Sequence, residues 1–224
     1  MEQPSDLTGI LVCAGLCLFP ILLFAMTFYL FRVRIGKLEK KAQELGFSFD
    51  ATGFKFESVD EPVFSERLPP FNLFSQGRSR KVRNVMKGEW EGVPVTVFDY
   101  RYKPVQDVWT QTVVLIEQDG LDLPQFLVRP RNLADHLDVP PGEEVEVEDA
   151  ELFSKRYVVQ GVDEKRIREL FGPEVRGYFR EQAGMSAEGA GDCVIVYRAR
   201  DAKSPEQIEP FLDRVVELIH LMKT

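Results

Sequence analysis

The sequence predicts an α+β protein: a single N-terminal transmembrane helix followed by an antiparallel-sheet domain covered by helices. Three observations predict it. Residues 7–31 carry no charge. Several later stretches rich in β-branched and aromatic residues are parted by short turns, and the chain closes on an amphipathic run headed by helix-capping residues. With 224 residues, 44% of them hydrophobic, the chain has material for one sizeable core and an appendage, since single domains run to roughly 100–200 residues.

The appendage is LTGILVCAGLCLFPILLFAMTFYLF, Leu7 to Phe31. Its 25 residues make a helix of about 37 Å at 1.5 Å each, longer than the roughly 30 Å of bilayer hydrocarbon. A buried core helix of that length would show a polar stripe, and none is present. A cleaved signal peptide is disfavoured because the leading MEQPSD is acidic, the apolar run is too long, and no small-x-small site closes it. Neither Cys13, after Val12, nor Cys17, after Leu16, sits as a lipidation site does.

Flanking charge sets the orientation. Glu2 and Asp6 precede the run, whereas Arg32, Arg34, Lys37, Lys40 and Lys41 follow it, and basic flanks stay cytoplasmic. The expected layout is an extracytoplasmic tail over 1–6, a transmembrane helix over 7–31, a juxtamembrane helix over 32–46 and a cytosolic α+β domain over 47–224. The protein is thus expected in the cell membrane as a single-pass protein. The body holds one thiol, Cys193, so no disulfide framework is on offer.

Within the anchor, Gly9, Cys13 and Cys17 recur every four residues, a spacing that lines small side chains along one helix face and lets a second helix approach. This face is the candidate for homo-oligomer formation. Pro20 is expected to kink the helix, because it has no N–H for the carbonyl one turn back. Leu38, Ala42 and Leu45 then follow at helical spacing up to Gly46, predicting a stalk whose lysines lie among anionic lipid headgroups.

The body reads as strands and then helices. Phe47 and Phe49 alternate, as do Phe54 and Phe56. Strands are expected over 82–90, 93–102 and 108–116, the first two joined as a hairpin by Glu91-Gly92, with a fourth in QFLVRP ending at Pro130. RNLADHL predicts a short helix, and DVPPGEEVEVEDAE a solvated acidic loop. That loop lacks the Asp-x-Asp-x-Asp-Gly spacing of a calcium site, so no metal is expected. Beyond it come a strand at 156–159, a helix over 163–171, a helix opening at Pro173 after Gly172, and a hairpin around Gly189 to Gly191. Ser204, Pro205 and Gln207 open the last helix as a capping box, and Ile208, Leu212, Val215, Ile219 and Met222 form its apolar face. Pro210 fits that helix awkwardly. Strand order is left open.

The segments GRSRKVRNVMKGEWEGVPVTVFDYRY, FSKRYVVQGVDEKRIRELFGPEV and CVIVYRAR resemble blocks of an uncharacterised family of bacterial proteins with a single N-terminal membrane helix and a soluble α+β domain. The likeness spans about two thirds of the chain. It implies a bacterial, membrane-tethered protein and transfers no site residues.

No catalytic motif stands out. His136, before the acidic loop, and His220, on the last helix, are the two histidines, each read as a surface or packing residue. Cys193 in an apolar strand reads as buried rather than reactive. GMSAEGAG is followed by a strand and not a helix, so it is a turn and not a phosphate loop. No cofactor is expected.

The feature that asks for a use is SQGRSRKVRNVMKGEW, which packs Arg78, Arg80, Lys81, Arg83 and Lys87 into a chain of net charge -8. Phe71, Phe74 and Trp90 nearby suggest base stacking, but a nucleic-acid domain has a wider basic footprint, so no nucleic-acid partner is expected. The block is the candidate surface for anionic headgroups or a protein partner, against the plainer reading of a charged strand edge that resists pairing. The expected function is a membrane-anchored cytosolic binding or scaffolding module, non-enzymatic; the alternative is a structural or assembly subunit of a larger membrane complex, and a third, disfavoured reading is an enzyme with an unrecognised site.

Overall fold

The computed structural model describes residues 6–51, 54–55, 71–104, 107–131, 144–147 and 151–223, with side chains of the first helix described from Phe19 onward. In chain order the elements are α1 (Asp6–Glu44), β1 (Ser48–Asp50), β2 (Phe54–Lys55), α2 (Asn72–Ser75), β3 (Arg78–Trp90), β4 (Val93–Lys103), β5 (Trp109–Glu117), β6 (Leu123–Pro130), α3 (Glu151–Ser154), β7 (Tyr157–Gly161), α4 (Glu164–Leu170), α5 (Pro173–Glu181), β8 (Met185–Gly191), β9 (Cys193–Arg198) and α6 (Pro205–Met222).

α1 is one helix of 39 residues that runs through Pro20 without interruption, about 58 Å long. It stops where Gly46 takes φ +71, a left-handed conformation that costs glycine nothing. The Phe47 N–H then bonds to the Ala42 carbonyl at 2.8 Å and turns the chain into β1.

All strands pair antiparallel in one sheet of order β1-β3-β4-β5-β9-β8-β6-β7, with β2 also on β3. The β3–β4 turn follows the sequence reading: Glu91 at φ 49 and Gly92 at φ 78 are both left-handed, as a two-residue I′ turn requires. β3 begins at Arg78, four residues before the expected start, and contains bulges between Arg78 and Lys81 and between Arg83 and Met86. The β5–β9 pairing in the middle of the sheet joins Val113 to Tyr197 and Glu117 to Cys193.

Alternation along each strand sends side chains to opposite faces, and here both faces are covered. On one face Val95, Val97, Val114, Ile116, Val194 and Val196 meet the apolar stripe of α6, with α3, α4 and α5 along the same side. On the other, Phe98, Tyr100, Val113, Leu115, Ile195 and Tyr197 pack under Phe71, Leu73 and Phe74. Asp163 caps α4 by accepting the Arg166 N–H at 3.1 Å, and Pro173 opens α5. The Gln207 carboxamide accepts the Ser204 N–H at 2.9 Å, and α6 carries Pro210 inside it on an exposed face.

Two expectations are corrected. The juxtamembrane segment is not a free stalk: Leu38 and Ala42 are buried in the main core, because α1 lies on the sheet beside α6. Its lysines are accordingly not all in a headgroup layer, since Lys41 reaches Glu209 of α6 at 2.7 Å. RNLADHL, apart from Arg131, and most of the acidic loop lie outside the described residues. Within that loop Glu144 bridges to Gln160 and Val145 is buried.

Candidate functional site

The joint between α1 and the sheet is built around one carboxylate. Asp99 on β4 is 7% exposed and accepts from Arg34 Nη1 at 2.8 Å, Asn84 Nδ2 at 2.7 Å and Thr112 Oγ1 at 3.0 Å. Arg34 Nη2 also donates to the Lys203 carbonyl at 3.2 Å, and Thr112 Oγ1 accepts the Lys203 N–H at 2.8 Å. One residue of the anchor helix is thus tied to β3, β4, β5 and the chain entering α6. A desolvated carboxylate is tolerable when its lone pairs are filled by charged and neutral donors, as here. Farther along, the Phe47 ring fills the space beside Gly88. Arg34 was legible only as a topology charge; Asp99 carried no signal at all.

Before the joint α1 is bare. From Phe19 to Phe31 its large apolar side chains are exposed, Phe24 to 73% and Leu22 to 66%. It is the one helix among the described residues long and apolar enough to cross a membrane, with mean hydropathy 1.5 over its most apolar window. Phe31 ends this stretch with the Arg83 guanidinium 6.0 Å from its ring centroid.

The five basic residues read as one block do not form one patch. Arg78 is exposed and Lys81 and Arg83 are half-buried near the start of β3, while Arg80 points to the opposite face, where it is buried and Nη1 donates to the Phe74 carbonyl. Lys87 lies toward the other end of the strand, three residues from the hairpin turn. Alternation separates Arg80 from Lys81 and Arg83, and the bulge between Arg78 and Lys81, where Ser79 takes φ 56, returns Arg78 to the Lys81 side. Phe71 and Phe74 are buried in the second core and Trp90 Nε1 donates to Asp213 of α6 at 2.9 Å, so these aromatics do structural work. Gly9, Cys13 and Cys17 fall in α1, but their side chains lie outside the described residues, as does His136. His220 is exposed in the last turn of α6. Cys193 is buried, and that burial, with Glu117 and Asp192 nearby, pushes its thiol pKa up, away from reactivity.

A second polar centre was not foreseen. Glu188 on β8 is 2% exposed and accepts from the Leu73 N–H at 3.0 Å, the Asn72 N–H at 2.5 Å and the Tyr197 hydroxyl at 3.0 Å. It pins α2 to the sheet. Burial pushes its carboxyl up to about 7, against the pull of those three donors. Arg129 on β6 is also buried, and its Nε and Nη1 have no hydrogen-bond partner among the described residues. The sequence places a hairpin here, but MSAEGAG has too few large apolar residues to show which of its side chains face a core.

Two clefts flank the β6–β7 edge. One of about 650 Å³ is lined by Arg131, Glu144, Glu151, Phe153 and Tyr157, and one of about 440 Å³ by Arg131, Lys155, Arg156, Tyr157 and Arg198. Among the described residues no three His, Cys, Asp or Glu side chains gather as a metal site.

No family model and no curated protein matches the chain. Among solved structures, the mycobacterial trehalose monomycolate transport factor A, TtfA, superposes with a TM-score of 0.60 over 86% of this chain and 96% of its own. The fold is shared with TtfA. Identity is 13%, so the likeness is one of backbone architecture, and none of the contacts at Asp99 or Glu188 is carried over from TtfA.

Proposed function

We propose that this protein is a membrane-anchored cytosolic binding or scaffolding module, non-enzymatic, that serves a machine in the same membrane. The observation that carries this reading is the Arg34–Asp99 joint, which makes anchor and sheet one mechanical unit. A helix that continues unbroken from the apolar stretch into the core supports retention of the anchor over cleavage as a signal. The basic residues after Phe31 support a cytosolic body and an outside N-terminus. That TtfA is a transport factor supports an accessory role.

The test is affinity capture of the full-length protein from native membranes beside a version whose residues 7–31 are replaced by an unrelated apolar helix. Partners kept by both versions place binding in the domain, as proposed. Partners lost with the native anchor favour the second reading, a structural or assembly subunit that contacts its complex through the membrane helix and the face of Gly9, Cys13 and Cys17. That reading draws on the full exposure of the apolar stretch, which lipid or a neighbouring helix must cover.

A further inference from the structure

The sheet is electrically polarised along its strands. α1 runs beside β3, with Phe31 at Arg83 and Phe47 at Gly88, so the bare apolar stretch leaves the molecule at the end of the sheet where β3 starts and β4 stops. Antiparallel order brings to that same end Arg78, Lys81 and Arg83 of β3, Arg101 and Lys103 of β4, and Arg200 after β9. The opposite end displays Glu89, Glu91, Glu117, Asp119, Asp163 and Asp192, all exposed.

The cations beside α1 are arranged against their own interest. Register sets Arg78 directly opposite Lys103, and Lys81 directly opposite Arg101, and like charges in cross-strand positions are destabilising. Arg78, Arg101 and Lys103 have no acidic partner among the described residues. Of the acids near this end, Asp99 is held by Arg34 and Asp201 by Lys203 at 2.5 Å, and Asp107 is exposed. Glu144 and Glu151 are taken up by Arg131 and Lys155 at the far edge. The positive charge of Arg78, Arg101 and Lys103, unmatched among the described residues, therefore lies where α1 emerges. Val108, 49% exposed in the β4–β5 connection at this end, adds an apolar tip.

We propose that the end of the sheet carrying Arg78, Lys81, Arg83, Arg101 and Lys103 is a docking surface for the anionic headgroups of the bilayer that α1 crosses. Tethering lowers the entropic cost of bringing domain to membrane, and phosphate oxygens relieve the like-charge pair of Arg78 and Lys103. Arg83, whose guanidinium lies 6.0 Å from the Phe31 ring centroid, sits where the apolar stretch ends and headgroups begin. The inference rests on the anchored reading above, but on neither its cytosolic orientation nor its partner.

The test uses the full-length protein in nanodiscs of phosphatidylcholine alone or with phosphatidylglycerol, read by amide hydrogen exchange. In the anionic bilayer, exchange at 78–83 and 101–110 is expected to slow relative to the neutral one, while the turn at 90–93 at the far end is unchanged. The difference is expected to vanish near 0.5 M salt, where screening acts within about 4 Å. The triple variant Arg78→Gln, Arg101→Gln, Lys103→Gln is expected to weaken docking on the order of a hundredfold, at roughly a factor of five per charge. Because this variant removes like-charge pairs, it is expected to fold at least as well, and unchanged exchange at 90–93 checks that. Equal exchange at 78–83 and 101–110 in the two bilayers overturns the proposal and leaves the surface to an acidic protein. Both faces of a nanodisc carry the same lipid and no partner is present, so this failure is distinct from failure of the capture experiment.

Discussion

At the residue scale the two buried carboxylates make opposite predictions. Glu188 holds its proton more tightly folded, at about 7, than its ordinary value of 4.5. The stability it contributes is therefore complete below pH 4.5 and lost as pH rises through 7, by about 3 kcal/mol in all. Denaturation midpoints of the wild type and Glu188→Gln, measured from pH 4.5 to 8, are expected to differ by that slope, with the variant the flatter. Asp99 depends instead on a cation. Arg34→Ala is expected to cost about 2 kcal/mol, because it leaves a buried carboxylate with two neutral donors. Adding Asp99→Asn is expected to recover part of that loss in the same denaturation measurement, since no unpaired charge remains. An unaltered midpoint for Arg34→Ala would mean that the joint does not hold the anchor.

At the element scale, what was legible followed from local chemistry. Glu91-Gly92 announced its hairpin because the turn needs two left-handed residues, and Ser204-Pro205 with Gln207 announced α6 because a helix start needs donors satisfied at its first turn. The awkward Pro210 does not break α6: the bond it forgoes is to the carbonyl of Glu206, on the exposed side where water can take that acceptor. Non-local facts were not legible. Arg34 and Asp99, 65 positions apart, meet only once strand order is known, and periodicity cannot distinguish a helix that rises from a domain from one that lies on it. β8 was read as a glycine-rich turn as much as a strand, yet Gly189 is required there, since a Cβ would enter the Phe126 ring. The same logic applies at the α1–β3 contact: Gly88→Ala places a methyl in the Phe47 ring and is expected to cost about 1–3 kcal/mol by overpacking. Thermal unfolding in detergent checks it, and a variant as stable as the wild type would show that Phe47 can move aside freely.

At the scale of the whole molecule, the basic block illustrates how sequence adjacency misleads. Its five residues are neighbours in the chain, but alternation and strand length scatter them across two faces and both halves of β3. The charged end of the sheet is assembled from two strands, β3 and β4, and the turn after β9, whose members are about twenty to 120 residues apart. The acidic bias of the chain, -8 overall, hides that dipolar layout, because a net charge records nothing about position.

On the anchored reading proposed above, the unbroken passage of α1 from the bilayer into the core also turns the protein into a rigid pointer. A span longer than the hydrocarbon layer leans, and leans more as the layer thins. With Arg34 locked on Asp99, and Leu38 and Ala42 packed in the core, no swivel separates the anchor from the sheet, so each change of lean swings the domain through the same angle. Bilayer thickness is thereby converted into the bearing of the sheet over the membrane plane.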